Sequence, residues 1–132
     1  MILAEAEINA MSSLALAHMG DAVYELMVRR EVCRSGRLTA GELHRQTVRH
    51  VSAGAQARAA RMVRPLLTEA ENAVYRRGRN SHSHAAPSSA SPGEYHEATG
   101  LEALFGWLYL RGETERLEEL FAHILKEWKP CP

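Results

Sequence analysis

Apolar side chains recur at steps of three and four along most of this chain, and each run is bounded by a capping residue or a breaker. Leu16, Met19, Val23, Leu26 and Met27 trace one stripe, the spacing of an amphipathic helix. Ser12 or Ser13 can cap its start and Arg34-Ser35-Gly36 ends it, which predicts one long helix over 12–33. Thr39 opens a second helix to about His50, where only Leu43 and Val48 are strongly apolar, so it belongs at the surface. Ser52 opens a third, running to about Arg64 before Pro65 breaks it. In Thr68-Glu69-Ala70-Glu71 the threonine can accept the third amide while Glu71 reaches back, a capping box that starts a fourth helix to about Arg79. Leu101, Leu104, Phe105, Leu108 and Tyr109 predict a helix from about Glu97 to Leu110, stopped by Gly112. Leu117, Leu120, Phe121, Ile124, Leu125 and Trp128 predict a last one over about 113–128.

No segment alternates with period two for long enough to form a sheet, and no internal repeat is present. The expected fold is all-α: a single domain over 1–132, a helical bundle with its core over about 12–128. At this length a chain buries roughly two thirds of its unfolded surface, enough for a core of its own. Residues 80–93, rich in serine and proline and without a large apolar side chain, predict one long mobile loop.

Charge changes this picture only locally. Sixteen basic and sixteen acidic side chains cancel, which excludes a polycationic or an acidic tail. Residues 44–79 nevertheless hold eight arginines against two glutamates, a net of +6, and residues 94–127 a net of −5. A basic middle in a neutral chain fits either a solvated helix face or an anionic partner. No apolar run approaches the roughly 18 residues of a membrane span. The first residues lack the pattern of a signal peptide. Cys33 and Cys131 are too few for a disulfide framework. A cytoplasmic protein without membrane contact is expected.

Two carboxylates stand out against their helices. Asp21 is the only aspartate in the chain; it follows Gly20 in mid-helix, among Ala17, Met19, Ala22 and Val23. Glu102 sits in an apolar run with Gly106 one turn later on the same face. Each glycine permits a second helix to come close, and two carboxylates so placed can share a divalent cation; oxygen donors suit Mg²⁺ or Mn²⁺. The competing reading pairs each acid with an arginine. Glu25, four residues after Asp21, either serves as an outer-shell group or pairs with Arg29. His18, three residues before Asp21, can hydrogen-bond to it or simply pack, and His82-Ser83-His84 lacks the further ligands a zinc site needs. Trp107 and Trp128 read as core or interface.

Leu16-Ala17-His18-Met19-Gly20-Asp21-Ala22-Val23-Tyr24-Glu25 resembles the ribonuclease III signature, and Glu102-Ala103-Leu104-Phe105-Gly106-Trp107-Leu108-Tyr109-Leu110 resembles that family's second signature helix. Gly41-Glu42-Leu43-His44-Arg45 and Arg76-Arg77-Gly78-Arg79-Asn80 are similar to the Mini-ribonuclease III subfamily, which has the catalytic domain without the double-stranded-RNA-binding domain. The likeness covers roughly residues 12–125. Ordinary members carry acids where this chain has Ala17 and Thr99, so only Asp21 and Glu102 of four acidic site positions carry over.

That resemblance implies an endoribonuclease that hydrolyses double-stranded RNA with Mg²⁺, for which Mn²⁺ can substitute, leaving 5′ phosphates and 3′ hydroxyls. It makes Asp21 and Glu102 the catalytic and metal-binding residues and Arg76, Arg77, Arg79 and Asn80 the RNA grip. It implies a homodimer with the Gly20–Met27 segment near the two-fold axis. It also implies maturation of the large-subunit ribosomal RNA precursor, in bacterial cytoplasm or an organelle. The alternative from another class is a non-catalytic helical RNA-binding or scaffold module, inactive through Ala17 and Thr99.

Overall fold

The longest helix begins where Ser12 accepts the Ala15 amide at 3.0 Å, the N-cap its position predicts. The computed structural model describes residues 3–81 and 91–128. In chain order its helices are α1 (Glu5–Asn9), α2 (Ser13–Arg34), α3 (Ala40–Val51), α4 (Ala53–Val63), α5 (Glu69–Arg79), α6 (Pro92–Leu110) and α7 (Thr114–Leu125). A single 3₁₀ turn, Arg64–Leu66, stands where Pro65 interrupts the run after α4. Among the described residues there is no strand, as the period of the apolar pattern requires.

Helix α6 is the axis of the bundle, packed against α2, α4 and α5 and touching α7. Its Leu101, Leu104, Phe105 and Leu108 are fully buried, each contributing about 2 kcal/mol through the apolar surface removed from water. Tyr24 of α2 meets the Phe105 and Phe121 rings edge-on at 5.3 and 5.9 Å, joining α2, α6 and α7. Helix α3 stays at the surface, with Thr47 its one buried residue and Val48 exposed.

Glycine sets the tightest crossing. A Cβ on Gly20 would lie 1.6 Å from the Glu102 carbonyl oxygen, and one on Gly106 would lie 2.0 Å from that of Leu16. Backbones of α2 and α6 are therefore in direct contact, which no larger residue permits. Gly112 ends α6 at φ +76°: its N–H donates to Tyr109 O, and that of Glu113 to Leu108 O. This is the pair of bonds that closes a helix through a left-handed residue.

The predicted capping box at Thr68 is present, with Thr68 accepting the Glu71 amide and Glu71 accepting that of Thr68. Glu71 has a second partner that its local sequence does not announce. Arg116 of α7 clamps it through two bonds of 2.8 Å and donates a third to the Leu66 carbonyl. Burial pushes the Glu71 carboxyl up, but Arg116 and the Thr68 amide outweigh it and hold the group below its ordinary value. The box that starts α5 thus also ties α5 to α7.

Three expectations change. Helix α6 starts at Pro92 rather than near Glu97, because Ser91 accepts the Glu94 amide at 3.2 Å and proline suits the first turn. The loop expected over 80–93 is correspondingly shorter: Asn80 caps the end of α5 and Ser91 the start of α6, while residues 82–90, with His82-Ser83-His84, lie outside the described residues. The last helix ends at Leu125, three residues short of Trp128, whose ring stacks on His50 at 3.5 Å. Helix α1 was not expected; it is five residues long and buries one side chain, Ile8, beside Leu16, Ala17, Val74 and Ala103.

Candidate active site

The glycine crossing puts two acids together. Asp21 follows Gly20 on α2, Glu102 lies beneath Gly20 on α6, and the two carboxyl groups are close enough for Asp21 to raise the Glu102 pKa. Asp21 is exposed and Glu102 half-buried, so the pair opens to solvent on one side. Burial, followed by the neighbouring Asp21 carboxyl and its charge, pushes the Glu102 carboxyl up to about 8. Neither acid has an arginine against it: the ion pairs of the described residues lie elsewhere. Two carboxyl groups this close resist ionising together, and a shared cation removes that resistance.

Gln56 of α4 completes the cluster. It is 3 % exposed, its Nε2 donates to the Val51 carbonyl at 3.1 Å, and its amide is near enough to Glu102 to oppose the upward shift of that carboxyl. Among the described residues its Oε1 is buried without a hydrogen-bond partner. Sequence reading did not single out Gln56. The signal was a polar residue inside the alanine-rich run Ala53–Ala60, legible only once it is known which face of α4 is buried.

The donors are all oxygen, which suits Mg²⁺ or Mn²⁺ with water in the remaining positions. Among the described residues no three His, Cys, Asp or Glu side chains gather around a common point, so the charged part of the set is two carboxylates. Ala17 and Thr99 are both buried, and the Thr99 hydroxyl donates to Tyr95 O at 3.0 Å within its own helix. The donor set fits one hydrated divalent cation.

Glu25 pairs with Arg29 at 2.7 Å, one turn beyond Asp21. His18 is exposed. Arg76 and Arg77 are exposed at the end of α5, and Asn80 caps that helix. Arg79 is half-buried, its guanidinium 5.8 Å from the Tyr75 ring centre, and Arg64 lies over the same ring at 4.8 Å. Among the described residues Arg76, Arg77 and Arg79 pair with neither Glu69, Glu71 nor the acids of α7; Glu71 belongs to Arg116. Arg61, by contrast, is committed to Glu97 through two bonds. No helix among the described residues is long and apolar enough to cross a membrane.

The chain is similar to known proteins in sequence and fold. The ribonuclease III domain family matches residues 14–113. A Mini-ribonuclease 3 from Symbiobacterium thermophilum is 50% identical over 107 residues, covering 81% of this chain and 82% of the relative. One from Thermoanaerobacter is 40% identical over 129 residues, 96% of this chain and 91% of the relative. The crystal structure of a Fusobacterium nucleatum protein superposes with a TM-score of 0.84 at 30% identity, covering 92% of this chain and 94% of the other.

Proposed function

The chain belongs to the ribonuclease III family, in its Mini-ribonuclease 3 group, and from that premise we propose that it cleaves double-stranded RNA by Mg²⁺-dependent phosphodiester hydrolysis. The observation that carries this reading is the approach of Asp21 and Glu102 across the Gly20–Gly106 crossing, with no arginine paired to either among the described residues. Mg²⁺ held there supplies a water of lowered pKa and offsets charge on the phosphoryl oxygens. Asp21, on the open side, is the ligand nearer the substrate, and Glu102 is the anchored one. Glu25, one turn along α2 from Asp21, is committed to Arg29, the surface ion pair set against an outer-shell role. The substrate class follows the family; precursor large-subunit ribosomal RNA, in a bacterial or organellar interior, is the substrate proposed within it. The retained acid pair argues against a non-catalytic scaffold, which an apolar pair at the crossing would serve better.

Cleavage of both strands needs two such sites. Leu26, 65% exposed, and Tyr109 stand beside Val23, Met27 and Leu117 in one apolar groove on α2, α6 and α7. A second copy of the chain covers it in the proposed homodimer, placing α2 near the two-fold axis. Light scattering at micromolar concentration should give a dimer mass, and Leu26→Glu should give a monomer. A monomeric wild-type protein that still cuts both strands contradicts the assembly.

The RNA grip is proposed on Arg76, Arg77, Arg79 and Asn80. Arg76 and Arg77 are exposed, while Arg79 is steadied over Tyr75, and arginine forks suit phosphate. A-form RNA is read mainly through phosphates and 2′-hydroxyls. Replacing the three arginines by alanine should weaken duplex binding and flatten the dependence of log K on log salt by about 1 per lost contact. An unchanged slope removes this segment from the RNA surface.

A further inference from the structure

We propose that Gln56 is a positioning residue of the metal site: it fixes the Glu102 carboxylate with one amide hydrogen and offers its own oxygen to the water an ion brings. This deepens the reading of Asp21 and Glu102 as metal ligands and rests on it. Gln56 lies on α4, which packs against α6, and is 3 % exposed. Its amide cannot be turned over, because the Nε2 that donates to Val51 O at 3.1 Å would be replaced by an oxygen facing an oxygen. Val51 ends α3, so this bond also satisfies a terminal helix carbonyl.

Gln56 holds the Glu102 carboxyl down against burial, so the second amide hydrogen is the one available to it. Among the described residues Oε1 is then left buried without a partner. Buried polar atoms without partners are uncommon and ask for an unrecorded ligand or water. An apolar side chain would fill the same space without leaving an orphan. What glutamine adds is an oxygen without a third negative charge, beside two carboxylates already in contact. With Ala17 and Thr99 uncharged, Gln56 is the remaining buried polar side chain on these helices that reaches Glu102.

Groups that orient a metal ligand change metal affinity by about 10- to 100-fold when removed. The test measures Mn²⁺ binding to the full chain by the loss of the free-ion electron paramagnetic resonance signal, together with the melting temperature of the metal-free protein. Wild type, Asp21→Asn, Gln56→Met and Gln56→Asn are compared. Methionine keeps the volume and removes both polar atoms; asparagine keeps the amide but is one methylene too short to reach Val51 and Glu102 together. Both Gln56 variants should bind Mn²⁺ about tenfold or more weakly, with the melting temperature of the methionine variant unchanged or raised. Wild-type affinity in either folded variant overturns the role of Gln56. If Asp21→Asn alone loses binding, the metal site stands and Gln56 only packs. If wild type binds no better than Asp21→Asn, the metal-site reading falls and Gln56 with it.

Discussion

Gly106→Ala should lower the melting temperature by about 10 °C or more. The new Cβ would sit 2.0 Å from the Leu16 carbonyl oxygen and 2.9 Å from the Gly20 nitrogen. Both obstacles are backbone, so no side chain can swing aside, and the helices must part. Overpacking a core typically costs about 1–3 kcal/mol, and a backbone collision at the central crossing belongs at or above the top of that range. In a domain of this size about 3 kcal/mol is worth roughly 10 °C. Gly93→Ala is the control: it lies in the first turn of α6 with nothing among the described residues within 4 Å of the added carbon. It should melt at or slightly above wild type, since alanine favours the helix. Equal melting of the Gly106 and Gly93 variants would mean that the crossing is not held by backbone contact.

Asp21→Asn should reduce duplex cleavage by about a thousandfold or more, and Glu102→Gln should do the same. An amide keeps the shape of each side chain and removes the charge that holds a hard cation. Loss of charge stabilisation in a hydrolytic site costs about 4 kcal/mol of barrier, which is a factor of about a thousand. Folding should survive both changes. Each replacement removes the cost of ionising two neighbouring carboxyl groups, so neither variant should melt below wild type in the absence of metal. Normal cleavage in either variant refutes the site; unfolding of either shows that the pair is structural.

The parts of the fold that were legible in the sequence depend on short-range chemistry. Ser12, Thr39, Ser52 and Thr68 each cap the helix their position announces, because a capping hydroxyl needs only the amide three residues on. The start of α6 was hidden because Ser91-Pro92-Gly93 closes a stretch of loop-like composition, where proline reads as a breaker rather than a first-turn residue. The acid pair was legible because Asp21 breaks a helix interior it suits poorly, Glu102 stands as a charge in an apolar run, and each has a glycine nearby. What could not be read was the third direction. Gln56 and Arg116 meet their partners across 46 and 45 residues of sequence, and no local pattern encodes which faces of α4, α6 and α7 will meet.

The most direct measurement is a calorimetric titration of Mg²⁺ into the metal-free protein, wild type against Asp21→Asn. Wild type should give a saturable binding heat of one ion per chain that disappears in the variant. The same heat from both proteins, or none from wild type, would contradict a metal site at the crossing of α2 and α6.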